Sequence, residues 1–250
     1  MAEEFKFPSE VIDLPSEGKV YPKDHPLRNG KIEIKYMTAR EEDILTSQNL
    51  IKKGVVIEKL LDSLILTKGI TSDDLILGDK NAVMVAARVL AYGPEYECEV
   101  FDPNTSEKHK LTINLANCPF KKLPDDINSN EFEIKLPVSK KTLTCKLLTG
   151  KEEQKIADDL KASKKIGTQV SPELTTRLRH TIVAIDGDDT PGFINTFVSN
   201  MLAKDSLHLR SEIKRITPDI ELKQEVEIEG EPVTVDIPMT VNFFWPGTQE

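Results

Sequence analysis

Lys35-Tyr36-Met37-Thr38-Ala39-Arg40-Glu41-Glu42 returns 111 residues later as Lys146-Leu147-Leu148-Thr149-Gly150-Lys151-Glu152-Glu153. In both copies a lysine and two apolar-leaning residues precede the threonine. A small residue, a base and two glutamates follow it. Thr-x-x-Glu is the spacing of a capping box, in which the threonine hydroxyl and the glutamate carboxylate satisfy free N–H groups at a helix start. Thr38 with Glu41, and Thr149 with Glu152, therefore each predict a strand end followed by a helix start. Carboxylates in a first turn also meet the positive end of the helix dipole. One such box is common. Two with matching flanks predict an internal duplication, and a spacing this long predicts two related domains rather than a solenoid.

Working outward, Ile32, Ile34 and Tyr36 alternate along a strand from Lys31 to Met37. Residues 5 to 14 predict a short edge strand interrupted by Pro8, and Leu14-Pro15-Ser16-Glu17-Gly18 a turn. The first capped helix is expected from about Ala39 to Lys53, with Gly54 as its stop. Ile57, Leu60, Leu61, Leu64 and Ile65 mark a second helix, and Asp79 is the expected N-cap of a third, Lys80 to Tyr92. Tyr96, Cys98 and Val100, then Leu111, Ile113 and Leu115, flank Asp102-Pro103-Asn104-Thr105 as a β-hairpin.

The second half retraces this order. Phe132, Ile134 and Leu136 form a strand ending in Leu136-Pro137, as Leu14-Pro15 ends the first, and Leu143, Cys145 and Leu147 form the next strand. The second capped helix is expected from Gly150 to Lys164. Ser171-Pro172 opens a helix with Leu174, Leu178, Ile182 and Ile185 on one face, and Phe193 to Leu202 is an extra helix. Asp205 is expected to cap a helix as Asp79 does, and Val226, Ile228, Val233, Val235 and Ile237 predict a second hairpin about Glu229-Gly230. The fold class is α+β: two tandem related domains, each of short antiparallel strands with a helical layer and a β-hairpin. The first occupies residues 1–120, a linker 121–130, and the second 131–250 with an aromatic C-terminal tail.

The 250 residues carry a net charge of −9, which argues against a broad nucleic-acid-binding surface. The acidic N-terminus lacks the apolar region of a secretory signal, and no apolar run is long enough to span a bilayer. Cys98, Cys118 and Cys145, odd in number and sparse, fit a reducing cytoplasm.

No phosphate loop, dinucleotide fingerprint, nucleophile elbow or His-Glu-x-x-His motif is present. Cys98, His109 and Cys118 bracket the first hairpin, but without the close cysteine pairs of structural zinc. Asp186-Gly187-Asp188-Asp189 is acidic, yet the twelfth position from Asp186 is Phe197 rather than the glutamate of a calcium loop. The glutamate pairs are accounted for by the helix starts. These residues predict no catalytic, cofactor-binding or metal site. The competing classes are a metal-dependent hydrolase using the Asp186–Asp189 loop and a nucleic-acid-binding adaptor using Lys121, Lys122, Lys140 and Lys141.

Leu14-Pro15-Ser16-Glu17-Gly18, Tyr21-Pro22 and the strand Gly30 to Thr38 with its glutamate-rich helix resemble the baseplate hub proteins of T4-type contractile-tailed bacteriophages. The helix end from Arg88 to Tyr92, with Gly93 and Tyr96, and the terminal Phe243-Phe244-Trp245-Pro246 carry the same resemblance. It is best over residues 11 to 100 and covers nearly the whole chain. It implies a non-enzymatic hub subunit or hub-assembly protein, made in the cytoplasm of the infected bacterium. Such a protein binds other tail proteins, with no small-molecule substrate, cofactor or membrane.

Phe243, Phe244 and Trp245 admit two readings. As a strand they place Phe243 and Trp245 on one face and Phe244 on the other, which offers aromatic anchors to a protein partner. Alternatively the segment is a final core strand buried by its own domain.

Overall fold

The computed structural model describes residues 7–101, 108–165, 171–228, 231–237, 239 and 241–244. Ser9–Asp13 (β1) pairs antiparallel with Lys31–Lys35 (β2), Ile12 opposite Ile32. Alternation along β2 sends Ile32 and Ile34 into the core. Three helices follow, Ala39–Thr46 (α1), Gln48–Lys53 (α2) and Val56–Leu64 (α3). The first helix is shorter than expected because it breaks at Ser47, whose backbone is extended. There the Thr46 hydroxyl donates to the carbonyls of Glu42 and Asp43, a local bond that competes with the helix ladder. Ile65 then bridges Ile34, placing a third extended segment beside β2. The long helix Leu77–Tyr92 (α4) leads to a hairpin of Glu95–Phe101 (β3) and Lys108–Asn114 (β4), with Tyr96 opposite Ile113. The expected turn Asp102 to Thr105 lies outside the described residues.

After the short strand Phe120–Lys121 (β5), Phe132–Lys135 (β6) and Thr142–Cys145 (β7) repeat the antiparallel pair. Gly150–Lys165 (α5) and Glu173–Thr181 (α6) follow. Ile182–Ile185 (β8) is a strand, not the continuation of α6 that the spacing of Leu178, Ile182 and Ile185 predicts. Its Ile-Val-Ala-Ile pairs with β7 to give the order β6-β7-β8, and this pairing overrides the helical period. Pro191–Ser199 (α7), Ala203–Ile216 (α8), Asp219–Ile220 (β9), Lys223–Ile228 (β10) and Glu231–Asp236 (β11) complete the order, β10 pairing with β11. Glu229 and Gly230 lie outside the described residues. The architecture is α+β: small antiparallel sheets packed on helices.

The halves interlock. β5 pairs with β9 across them, and Ile76 bridges Thr149. Gly78 and Gly150 permit this approach: a Cβ on Gly78 would stand 1.8 Å from the Pro218 carbonyl oxygen, and one on Gly150 2.7 Å from Asp73 Cα. Between the halves, Leu123 and Ile127 are buried and Asn130 makes two hydrogen bonds to the Leu147 backbone. The segment expected to link the domains is thus packed chain. Buried apolar side chains of both halves form one continuous core.

The tail takes the core alternative in another form. Val241–Phe244 is a 3-10 turn, not a strand, and the side chains of Phe243 and Phe244 are both 0% exposed. Phe243 packs against Tyr96 of the first half with ring centroids 5.1 Å apart, and Phe244 meets Phe243 edge-on. Arg88 of α4 donates from Nε to the Phe243 carbonyl at 3.1 Å. Expecting these two rings on an exposed partner surface is therefore corrected: a tight turn folds both onto the chain's own core. Trp245 lies outside the described residues.

Phe243→Ala and Phe244→Ala are each expected to lower the unfolding free energy by about 3–5 kcal/mol, the cost of emptying a buried aromatic site. Urea melts check this, and wild-type midpoints in both variants would show that the rings are not core.

Candidate docking groove

The repeated stretch builds the same cluster twice. Glu41 Oε2 accepts from the Thr38 N–H at 2.9 Å and from its hydroxyl at 2.6 Å, and Oε1 accepts from Lys35 at 2.7 Å and Ser63 at 2.6 Å. Glu152 Oε2 accepts from the Thr149 N–H at 2.9 Å and from the Thr149 hydroxyl, and Oε1 from Lys146 at 3.0 Å. Burial pushes both carboxyls up, but the donors outweigh it. Lys35, Ser63 and Thr38 hold Glu41 at about 2, and Thr149 and Lys146 hold Glu152 at about 2. The following glutamates are used as well: Glu42 accepts from the Tyr92 hydroxyl at 2.9 Å, and Glu153 meets Arg177 at 2.5 and 2.9 Å.

Asp79 and Asp205 are not the N-caps that their positions predict. Their helices start two residues earlier, with Ile76 and Leu202 at the N-caps, so each aspartate stands third in the helix. Both are buried and reach a different turn. Asp79 accepts from Ser16 N at 3.0 Å, Ser16 Oγ at 2.6 Å and Tyr21 Oη at 2.7 Å. Asp205 accepts from Val138 N at 2.8 Å and Ser139 N at 2.9 Å. Each aspartate thus pins the turn just after a Leu-Pro pair, Leu14-Pro15 or Leu136-Pro137.

The other singled-out residues are dispersed. Asp186 accepts from Thr142 N at 2.9 Å and pairs with Lys141 at 2.7 Å, while Asp188 accepts from Thr190 N at 2.9 Å, so the acidic loop holds its own turn. Lys122 pairs with Glu17 at 2.7 Å and Lys121 donates to the Lys214 carbonyl. Lys140 has a left-handed backbone, φ 61°, in the turn before β7. Cys98 and Cys118 are buried, and Cys118 Sγ accepts from Gln224. Among the described residues no group of three or more His, Cys, Asp or Glu side chains is placed to hold a metal, and no helix is long and apolar enough to cross a membrane.

What the interlocked halves do create is a cleft of about 250 Å³ between the start of α4, the β7–α5 connection, α6 and α8. Ile76, Leu147 and Leu178 form its buried floor, with Leu148 and Ile213 partly exposed above them. Leu77 and Leu174 stand at the lip, 50% and 44% exposed. Lys146, Glu153, Arg177, Arg210 and Lys214 also line it. Lys146 and Arg177 are neutralised by Glu152 and Glu153. Arg210 and Lys214, four residues apart on α8 and both exposed, have no carboxylate partner among the described residues. No local pattern announces this cleft, because its lining comes from four separated segments.

The fold and these clusters define an α+β protein whose conspicuous polar motifs hold turns and helix starts, and whose two halves enclose an apolar groove with Leu77 and Leu174 exposed at its lip. A family model described as T4 bacteriophage base plate protein matches residues 8–245, and the chain belongs to that family. No curated protein and no solved structure matches it. Membership makes it a bacteriophage baseplate protein and implies contact with other baseplate proteins.

Thr38→Ala and Thr149→Ala are each expected to cost about 1 kcal/mol, the usual loss of an N-cap side chain, read from urea melts. A second test uses pH. Both box glutamates have folded-state values depressed from 4.5 to about 2, so their stabilisation is present above the ordinary carboxyl range and is lost as pH falls from about 4.5 toward 2. Asp79, raised by burial, works in the opposite sense. The melting temperature of Glu41→Gln/Glu152→Gln should therefore fall less steeply with acid than that of the wild type. Identical slopes would show that the boxes do not carry the effect.

Proposed function

We propose that this chain is a non-enzymatic structural or assembly protein of the baseplate hub, acting by binding other tail proteins in the cytoplasm of the infected bacterium or in the tail baseplate of the virion. The family match over residues 8–245 carries this reading. The side chains support it. Thr38, Glu41, Thr149 and Glu152 hold helix starts, Asp186 and Asp188 hold a loop, and Asp79 and Asp205 hold turns. Burial pushes the Cys145 thiol up to about 12, far from a reactive thiolate. The paired constellations support two copies of one unit, 1–120 and 131–250 joined through 121–130, and similar halves suit a bridging role between subunits.

Co-expression with candidate hub and tape-measure proteins, followed by size-exclusion chromatography with light scattering, tests the function. The expected result is a complex of defined stoichiometry. Elution of the chain alone in every combination would overturn the hub assignment.

A further inference from the structure

Resting on the baseplate reading, we propose that the cleft between the halves receives an acidic amphipathic helix of another protein. One or two large apolar side chains of that helix enter the cleft, and its carboxylates meet Arg210 and Lys214.

Size argues for a side-chain anchor. The cleft holds about 250 Å³, less than the roughly 300–1,000 Å³ of small-molecule and cofactor sites. Anchor residues of protein interfaces are large side chains seated in desolvated pockets of this kind. The apolar lining agrees, since Leu77 and Leu174 leave half-exposed surface at a concave lip rather than on an open face. Covering them removes that area from water, the main favourable contribution to association.

Charge argues for the kind of helix. The chain as a whole is acidic, at −9, yet the two unpaired charges on this lip are both positive. Among the described residues Glu153 is the one carboxylate in the lining, and it is already held by Arg177. Arg210 and Lys214 stand four residues apart on α8, so they face the same way about one turn apart. Carboxylates four residues apart on a docked helix match that spacing. A second copy of this chain carries the same net charge of −9, whereas a short acidic helix brings its carboxylates to Arg210 and Lys214 without that whole-chain repulsion between copies. The groove also requires both halves: Ile76 and Leu77 come from the first and the rest of the lining from the second.

The probe is a fluorescein-labelled helical peptide with leucines at i, i+3 and i+7 and glutamates at i+4 spacing beside them. Its controls are the same peptide with leucines changed to serine and with glutamates changed to lysine. Anisotropy should show the acidic leucine peptide binding in a salt-sensitive way while both controls fail. Arg210→Glu/Lys214→Glu and Leu174→Asp should each weaken binding by about tenfold or more. Leu207→Asp, exposed on α8 outside the cleft, should leave it unchanged. These side chains are exposed, so thermal melts should match the wild type. Methyl NMR of the full chain should place peptide-induced shifts on Leu77, Leu148, Leu174 and Ile213. No binding, equal binding by all variants, shifts outside the cleft, or a concentration-dependent dimer displaced by the peptide would each overturn the proposal. Undiminished hub assembly by Arg210→Glu/Lys214→Glu would overturn the groove and leave the hub reading standing. Peptide binding at the cleft with no hub complex would overturn the hub reading and leave the groove.

Discussion

The carboxylate of Asp79 is buried without a cation, and the arrangement of the first half follows from satisfying it. Burial alone would drive the proton back on, and it does push this carboxyl up. Three donors, the Ser16 N–H, the Ser16 hydroxyl and the Tyr21 hydroxyl, oppose that, as does the start of α4 on which Asp79 sits. The Leu-Pro-Ser turn and the Tyr21 segment are thereby held on the helix, and with them the paired strands β1 and β2 that precede and follow in the chain. Further along α4, Arg88 solves the converse problem. Its buried guanidinium donates to the carbonyls of Phe243, Gly93 and Glu95 and lies over Tyr92 and Tyr96. One helix therefore positions the N-terminal turn through an anion and the C-terminal tail through a cation.

The second half repeats the anchor with different chemistry. Asp205 takes the same place in α8 and holds the turn after Leu136-Pro137, through the Val138 and Ser139 N–H groups with the Ser139 side chain and without a tyrosine. Burial still acts upward on it, yet the Val138 and Ser139 N–H groups and the Ser139 side chain bring its carboxyl below the ordinary value, opposite to Asp79. Lys-x-x-Thr-x-x-Glu is used in the same way in both halves, with the glutamate shared between the lysine and the threonine, and Ser63 adds a further donor to Glu41 alone among the described contacts. The halves also differ in content: β8 pairs along β7 where the first half has the single Ile65 bridge to β2, and α7 precedes α8 where the short turn Ser72–Asp74 precedes α4.

The groove arises where the start of α4 meets α5, α6 and α8 of the second half. Gly78 and Gly150 let backbone meet backbone across the junction, so the start of α4 lies against the second half with Leu77 left at the surface.

Much of the local structure was legible in the residues themselves. The alternation of β2, β6 and β7, the stop at Gly54, the hairpin strands carrying Tyr96 and Ile113 and the two capping boxes each depend on neighbours a few positions away. Such patterns are fixed by backbone geometry and side-chain period, which a linear sequence displays. Tertiary structure decided the rest. It turned Ile182–Ile185 from helix to strand by offering the free edge of β7, and it moved Asp79 and Asp205 from capping their own helices to holding turns far back in the chain. It buried Phe243 under an arginine 155 residues away and assembled the groove from four segments. These outcomes rest on contacts between residues distant in the chain, whose energies exceed local preference but leave no period or spacing in the sequence to read.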